Sequence, residues 1–224
     1  MGCATSPEVK HSHFLAPAWP TGLVPKKKSL AATERNEQAR EEFITNQASL
    51  EADQLVVLDE CGTHTSLTLT HGWSRRGQRV CGSVPRNRGK NLTLIGALTT
   101  TWALSAETCM VLEGATDRLA FEAYIEKVLA PHLKSGQTVI MDNLSAHKSA
   151  KVKQIIAAKG CKVLFLPAYS PDLSPIELAF SKLKGHLRRI GARSREALES
   201  AIGQSVELIT PQDALGYFRH CGYS

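Results

Sequence analysis

From residue 54 onward the apolar positions change period along the chain, and the changes outline its elements. Leu55, Val56, Val57 and Leu58 form an unbroken apolar run that stops at Asp59. A run of that length reads as a strand buried on both faces. Residues 66–70 alternate before the His71–Gly72 turn, and 78–83, 91–100 and 107–112 read as further strands. The period then lengthens. Phe121, Tyr124, Ile125, Val128 and Leu129 recur at helical spacing between Asp117 and Pro131. Residues 138–141 are a second buried-type strand, and it too ends in acid, at Asp142. A helix is expected over 146–159, stopping at Gly160, then a strand over 162–166 closed by Pro167, then a Pro-rich loop over 169–174. Ile176, Phe180, Leu183, Leu187 and Ile190 stripe one face of a helix over 175–190. A last helix is expected over 195–209. Strands first, then alternating helices and strands, predict an α/β mixed sheet with helices on both faces.

The segment before this pattern differs. Residues 1–25 hold Pro7, Pro17, Pro20 and Pro25 and no period, and are expected to be a poorly structured tail. His11 and His13 lie there. Lys26–Lys28 and a polar stretch rich in helix formers follow, predicting a helical linker over 26–50, with its helix near 31–47. Residues 51–224 then form the main domain.

Charge sharpens the picture. Lys and Arg outnumber Asp and Glu by 27 to 21, for a net charge of +6. The excess is concentrated. From Cys61 to Ala106 there is no acid, but Arg75, Arg76, Arg79, Arg86, Arg88 and Lys90 fall there. From Leu178 to Arg195 there is again none, against Lys182, Lys184, Arg188, Arg189, Arg193 and Arg195. Such stretches suit a polyanion, and equally a solvated face. The six cysteines are scattered, with no C-x-x-C pair and no zinc spacing. No secretory leader and no membrane-length apolar run is present, so the expected setting is the cytoplasm, with no membrane partner. Phosphate-cradling Gly motifs and a G-x-S-x-G nucleophile turn are also absent.

The chemistry gathers on acids. Asp59 and Asp142 each follow a buried-type strand, and strand ends in α/β sheets face the ligand crevice. If the two strands are neighbours, the carboxylates repel unless a divalent cation keeps both ionised. Oxygen-only donors favour Mg²⁺ or Mn²⁺. Glu177 lies in the first turn of its helix, about 100° off the buried stripe, where it could face the same crevice. Ser174-Pro175-Ile176-Glu177 also has the form of a capping box, so a purely local role for Glu177 is open. Three carboxylates holding two cations would serve phosphoryl transfer.

Leu58-Asp59-Glu60, Met141-Asp142-Asn143 through His147-Lys148, and the run Leu166-Pro167-Ala168-Tyr169-Ser170-Pro171-Asp172-Leu173-Ser174-Pro175-Ile176-Glu177 resemble the signature segments of DDE transposases, in particular the mariner-like superfamily in its bacterial insertion-sequence branch. Phe180-Ser181-Lys182-Leu183-Lys184 and the stretch 22–40 are similar to that family as well. The resemblance implies a ribonuclease H-like fold with Asp59, Asp142 and Glu177 as catalytic metal ligands for two Mg²⁺ or Mn²⁺ ions. It implies Glu60, Asn143 and His147 as supporting or substrate-positioning residues, although a histidine near a helix start also reads as a surface or cap residue. The basic residues Arg75, Arg76, Arg79, Arg86, Arg88, Lys90, Lys182, Lys184, Arg188 and Arg189 would contact double-stranded DNA, both transposon ends and target. The implied activity is phosphodiester cleavage and strand transfer in a nucleoid-associated bacterial protein, with a homo-oligomer and a separate helix-turn-helix partner chain both open. Family members carry helix-turn-helix modules upstream, and residues 1–20 do not read as such a module. The expectation is a downstream reading frame of a split element, or a truncated remnant that binds DNA or a full-length transposase without catalysis.

Overall fold

The computed structural model describes residues 32–224, apart from the side chains of Ser145 and Ala146. The expected tail, with His11 and His13, and Lys26–Lys28 of the linker lie outside the described residues. The first described helix is α1, Glu37–Gln47, which begins where the Asn36 side chain accepts a hydrogen bond from the Ala39 N–H at 3.1 Å. It buries only Phe43 and Gln47.

The sheet has six strands: β1 Leu55–Thr63, β2 Leu92–Thr99, β3 Ala103–Leu104, β4 Met110–Glu113, β5 Thr138–Met141 and β6 Lys162–Phe165. Their order is β3-β2-β1-β5-β6, with β4 paired to the other end of β2. β1 is antiparallel to β2 and parallel to β5, and β6 runs parallel to β5. The unbroken apolar run at 55–58 is explained by two cores, one on each face. Leu55, Val57 and Cys61 belong to one core with Phe180, Leu183, Leu198, Ile202 and Phe218. Val56 and Leu58 belong to the other with Phe121, Tyr124, Val139, Val152 and Ile156. The helices behind the first core are α4 Pro175–Ile190, α5 Arg195–Val206 and α6 Pro211–His220. Those behind the second are α2 Arg118–Tyr124 and α3 Ala150–Ala158. The mixed sheet with helices on both faces is therefore as the sequence predicts.

Four details differ. Residues 66–70 and 78–83 are not strands; they belong to a mostly exposed loop between β1 and β2. β2 already occupies one edge of β1 along Val57–Thr63, these segments pair with no strand, and Leu69 points to solvent. Hydrogen bonds to the Thr65 and Leu67 carbonyls from Arg193, at 2.8 and 2.9 Å, hold the start of this loop instead. The helix after Asp117 is regular only to Tyr124, then widens into a π turn over Ile125–Leu129 and tightens at Ala130–His132. The helix expected over 146–159 is split into a 3-10 turn, Ser145–Lys148, and α3. Finally, α6 was not expected.

Candidate active site

Register places the first two acids. Val57 faces Ile140 across the parallel β1–β5 pair, so two residues on, Asp59 and Asp142 stand side by side. Asp142 follows the last residue of β5, as the sequence suggests, whereas Asp59 lies inside β1, which continues to Thr63 against β2. The strand end that opens the crevice is that of β5: where it stops, β1 loses a neighbour on that side. Side chains alternate along a strand, so Asp59 shares the face of Val57 and Cys61, against which α4 packs. Glu177 comes from the first turn of that helix.

The capping box is not formed. Ser174 is the N-cap of α4, but its side chain makes no capping hydrogen bond. Glu177 is exposed next to the wholly buried Ile176, as its position off the stripe predicts, and its carboxylate is free to face the cleft. That cleft, of about 400 Å³, is lined by Asp59, Glu60, Asp142, Asn143 and Glu177 on its acidic side. Leu144, Pro167, Ala168, Tyr169 and Pro171 line the other. Tyr169 holds a left-handed backbone with φ of 57° and is more than half exposed at the rim. The sequence reading did not single it out.

The electrostatics of the cleft are those of crowded acids. Burial pushes the Asp59 carboxyl up to about 7; the hydrogen bond from the Glu60 N–H, at 2.8 Å, opposes this, and the Glu177, Glu60 and Asp142 carboxylates add to it. Asp142 accepts the Leu144 N–H at 3.2 Å. His147 is buried, not a surface or cap residue. Its Nε2 lies 3.0 Å from Glu60 Oε1 and its Nδ1 lies against Asp142 Oδ1 without hydrogen-bond alignment, while its ring stacks on Phe121 at 4.1 Å between centroids. Burial alone would lower the His147 pKa; the Asp142 and Glu60 carboxylates outweigh it and raise it to about 9. Glu60, on the opposite strand face from Asp59, is thus joined to Asp142 through an imidazolium.

The donor set fits a divalent cation. The cleft presents oxygen donors in excess, and burial, helped by the acidic neighbours, pushes the Asp59 carboxyl up to about 7. A bound cation is what would let these carboxylates ionise together. Among the described residues no three Asp, Glu, His or Cys side chains are already drawn into a metal-binding cluster. The carboxylates share a cleft without being gathered around one point.

The basic residues separate into groups. Arg75, Arg76, Arg79 and Arg86 are exposed on the β1–β2 loop. Arg88 and Lys90 line a second hollow with Arg193 and Arg195, two residues the DNA-contact expectation left out; there Lys90 and Arg195 both pair with Glu113. Lys182 is bound to Asp213, 2.6 Å away. Lys184 approaches the Cys61 thiol, and the charges of Arg88, Lys184 and Arg188 add to burial in lowering the His64 pKa. Arg189 is exposed. No helix among the described residues is long and apolar enough to cross a membrane.

Three solved structures resemble this chain. One is a Mos1 transposase paired-end complex with left transposon end, with a TM-score of 0.62, 15% identity, and coverage of 91% of this chain and 68% of that one. The second is a Mos1 mariner paired end complex with Mn, with a TM-score of 0.64 and 17% identity over 89% of this chain and 63% of that one. The third is a Mos1 transposase catalytic domain with Raltegravir and Mn, with a TM-score of 0.51 and 14% identity over 89% of this chain and 99% of that one. At these identities the likeness is one of fold, the ribonuclease H-like α/β architecture. No curated protein matches the chain. Residues 54–199, which include every acid of the cleft, match the family described as DDE superfamily endonuclease, and the chain belongs to that family.

Proposed function

We propose that this chain is the catalytic part of a DNA transposase, cutting and rejoining phosphodiesters with two Mg²⁺ or Mn²⁺ ions held by Asp59, Asp142 and Glu177. The observation that carries the reading is the convergence of these three acids on one cleft, with Asp59 pushed up to about 7 by burial and by its acidic neighbours. When bound, the ions supply activation of a water or 3′-hydroxyl and neutralise the leaving oxygen. The chain's own residues do the rest. Glu60 and Asp142 keep His147 protonated between them, and the ring lies against the Asp142 carboxylate. Asn143, exposed at the cleft, offers an amide to position a phosphate oxygen. Double-stranded DNA, as transposon end and as target, is the substrate, and the basic loop and α4 supply backbone contacts. On this reading 1–25 is a tail, 26–50 a linker and 51–224 the catalytic domain, acting as an oligomer or with a helix-turn-helix partner chain.

Asp142→Asn is expected to abolish Mn²⁺-dependent cleavage of inverted-repeat DNA while leaving the fold, read by circular dichroism, intact. Cleavage that persists in this variant sinks the reading. A second reading is supported by the carboxylates not yet being drawn together: a DNA-binding chain without cleavage. Mn²⁺ binding by the isolated chain, measured calorimetrically, separates the two, since a chain that binds DNA but no cation favours the second.

A further inference from the structure

The turn that delivers Glu177 has little to hold it from within. Ser170-Pro171-Asp172-Leu173-Ser174-Pro175 contains two prolines, which have no N–H to donate. Its own backbone bonds are two, Leu173 N–H to Ser170 O at 3.1 Å and Ser174 N–H to Pro171 O at 3.0 Å. The Ser174 side chain does not cap α4. A helix start without a local cap, carrying an acid that must be placed within a fraction of an ångström, needs support from elsewhere.

Two groups from the extremes of the described chain supply it. Arg40 of α1 forks onto the half-exposed Asp172 carboxylate, Nη1 to Oδ1 at 2.9 Å and Nη2 to Oδ2, with most of the Arg40 side chain covered. A bidentate pair of this kind fixes orientation as well as distance. The buried Tyr223 hydroxyl donates to the Leu173 carbonyl at 2.9 Å. The two arms are joined to each other: Gln47 Nε2 donates to the Cys221 carbonyl at 2.6 Å, and the Ala52 N–H to the Ser224 carbonyl at 2.8 Å. Arg40, Gln47, Cys221, Tyr223 and Ser224 all lie outside the family-matched segment 54–199.

We propose that Arg40 and Tyr223 are positioning residues for Glu177, forming a brace from α1 and the 221–224 segment that holds the Pro171–Leu173 turn and sets the first turn of α4. The proposal rests on the catalytic reading of Glu177. The consequence is that the residues matching the family are incomplete as a site without the flanking segments.

The test uses the full chain without DNA. Arg40→Met and Tyr223→Phe are each expected to weaken Mn²⁺ binding by about tenfold, as lost support behind a metal ligand does. Each is expected to speed hydrogen exchange at the amides of residues 173–178 by at least about tenfold while leaving β1 unchanged. The charge swap Arg40→Asp with Asp172→Arg restores both. Should Arg40→Met not fold, Arg40→Lys keeps the charge, loses the fork, and is read in the same two ways. Wild-type affinity and wild-type exchange in the single variants overturn the brace, as does a swap that folds but restores neither. Asp59→Asn is the control that loses Mn²⁺ but keeps slow exchange at 173–178. If the wild type binds no Mn²⁺, the metal reading has failed, and exchange alone still decides the brace.

Discussion

At the scale of the residue, the cleft makes its own stability depend on pH, in two adjoining windows. Asp59 has an ordinary pKa near 3.8 and is raised to about 7 in the folded chain. Between those values the folded state keeps a proton that the unfolded state releases, so stability falls as pH rises through that window, by up to about 4 kcal/mol. Asp59→Asn removes the effect. Urea unfolding at pH 4.5 and pH 6.5, without metal, is expected to show a drop in the wild type and little in the variant. Equal drops would mean that Asp59 is not the strained acid. Mn²⁺ added at pH 7.5 raises the wild-type midpoint and leaves the variant where it was. His147 acts in a higher window. It is raised from 6.5 to about 9, so the stability it contributes is complete below 6.5 and lost as pH rises through 9. His147→Gln is expected to flatten the wild-type decline between those values, and a slope unchanged by the substitution would place the titrating group elsewhere. Tyr169, with its left-handed backbone, is a different case. Such a conformation costs a non-glycine residue about 1–2 kcal/mol. Tyr169→Gly should therefore melt no lower than the wild type, and a clear fall in melting temperature would show that the ring's contacts outweigh the backbone cost.

At the scale of the element, what could be read in advance depended on whether neighbours or local chemistry decide the outcome. The runs at 55–58 and 138–141 could be read because a strand between two cores must be apolar on both faces. The acids after them could be read for the same reason, since a charge ending such a run has to face a crevice. Two things could not. That β1 continues past Asp59 depends on β2 arriving to pair with it, which nothing in Glu60-Cys61-Gly62-Thr63 announces. The alternation at 66–70 misleads because it is a local signal, and no strand of the sheet pairs with that segment. The α6 helix, by contrast, carries its signal in the sequence. Thr210 and Asp213 form a reciprocal capping box around Pro211, with the Asp213 N–H donating to Thr210 Oγ1 at 3.1 Å and Asp213 accepting the Thr210 N–H at 2.9 Å. Thr210→Ala is expected to cost about 1 kcal/mol, and because Phe218 and the Tyr223 brace follow from α6, the loss should appear in global unfolding rather than as local fraying. Early exchange confined to α6 would contradict that coupling.

At the scale of the whole molecule, the basic residues form a direction rather than a cloud. β1 and α4 lie side by side, and charges of α4 and the β1–β2 loop act on successive side chains of β1 and its end: Glu177 on Asp59 at the cleft, Lys184 on Cys61, then Arg188 and Arg88 on His64. Glu177, Lys184 and Arg188 are seven and four residues apart, so they share one helix face and span about 16 Å along it. A DNA backbone leaving the acidic cleft along this row would meet a cation at each step. Lys182 is only two residues from Lys184, yet it faces away and is bound to Asp213. Net basicity would make these lysines equivalent; the row makes them unequal. Each phosphate contact contributes about 0.9 to the slope of log affinity against log salt. Lys184→Gln with Arg188→Gln is therefore expected to weaken duplex binding and to flatten that slope by about two. Lys182→Gln should leave the slope within error of the wild type, because its charge is already answered within the fold. Binding isotherms from 50 to 200 mM salt decide the matter. Equal losses from Lys182→Gln and Lys184→Gln would mean that the duplex reads only the overall charge of α4, and that the row beside β1 is not its path.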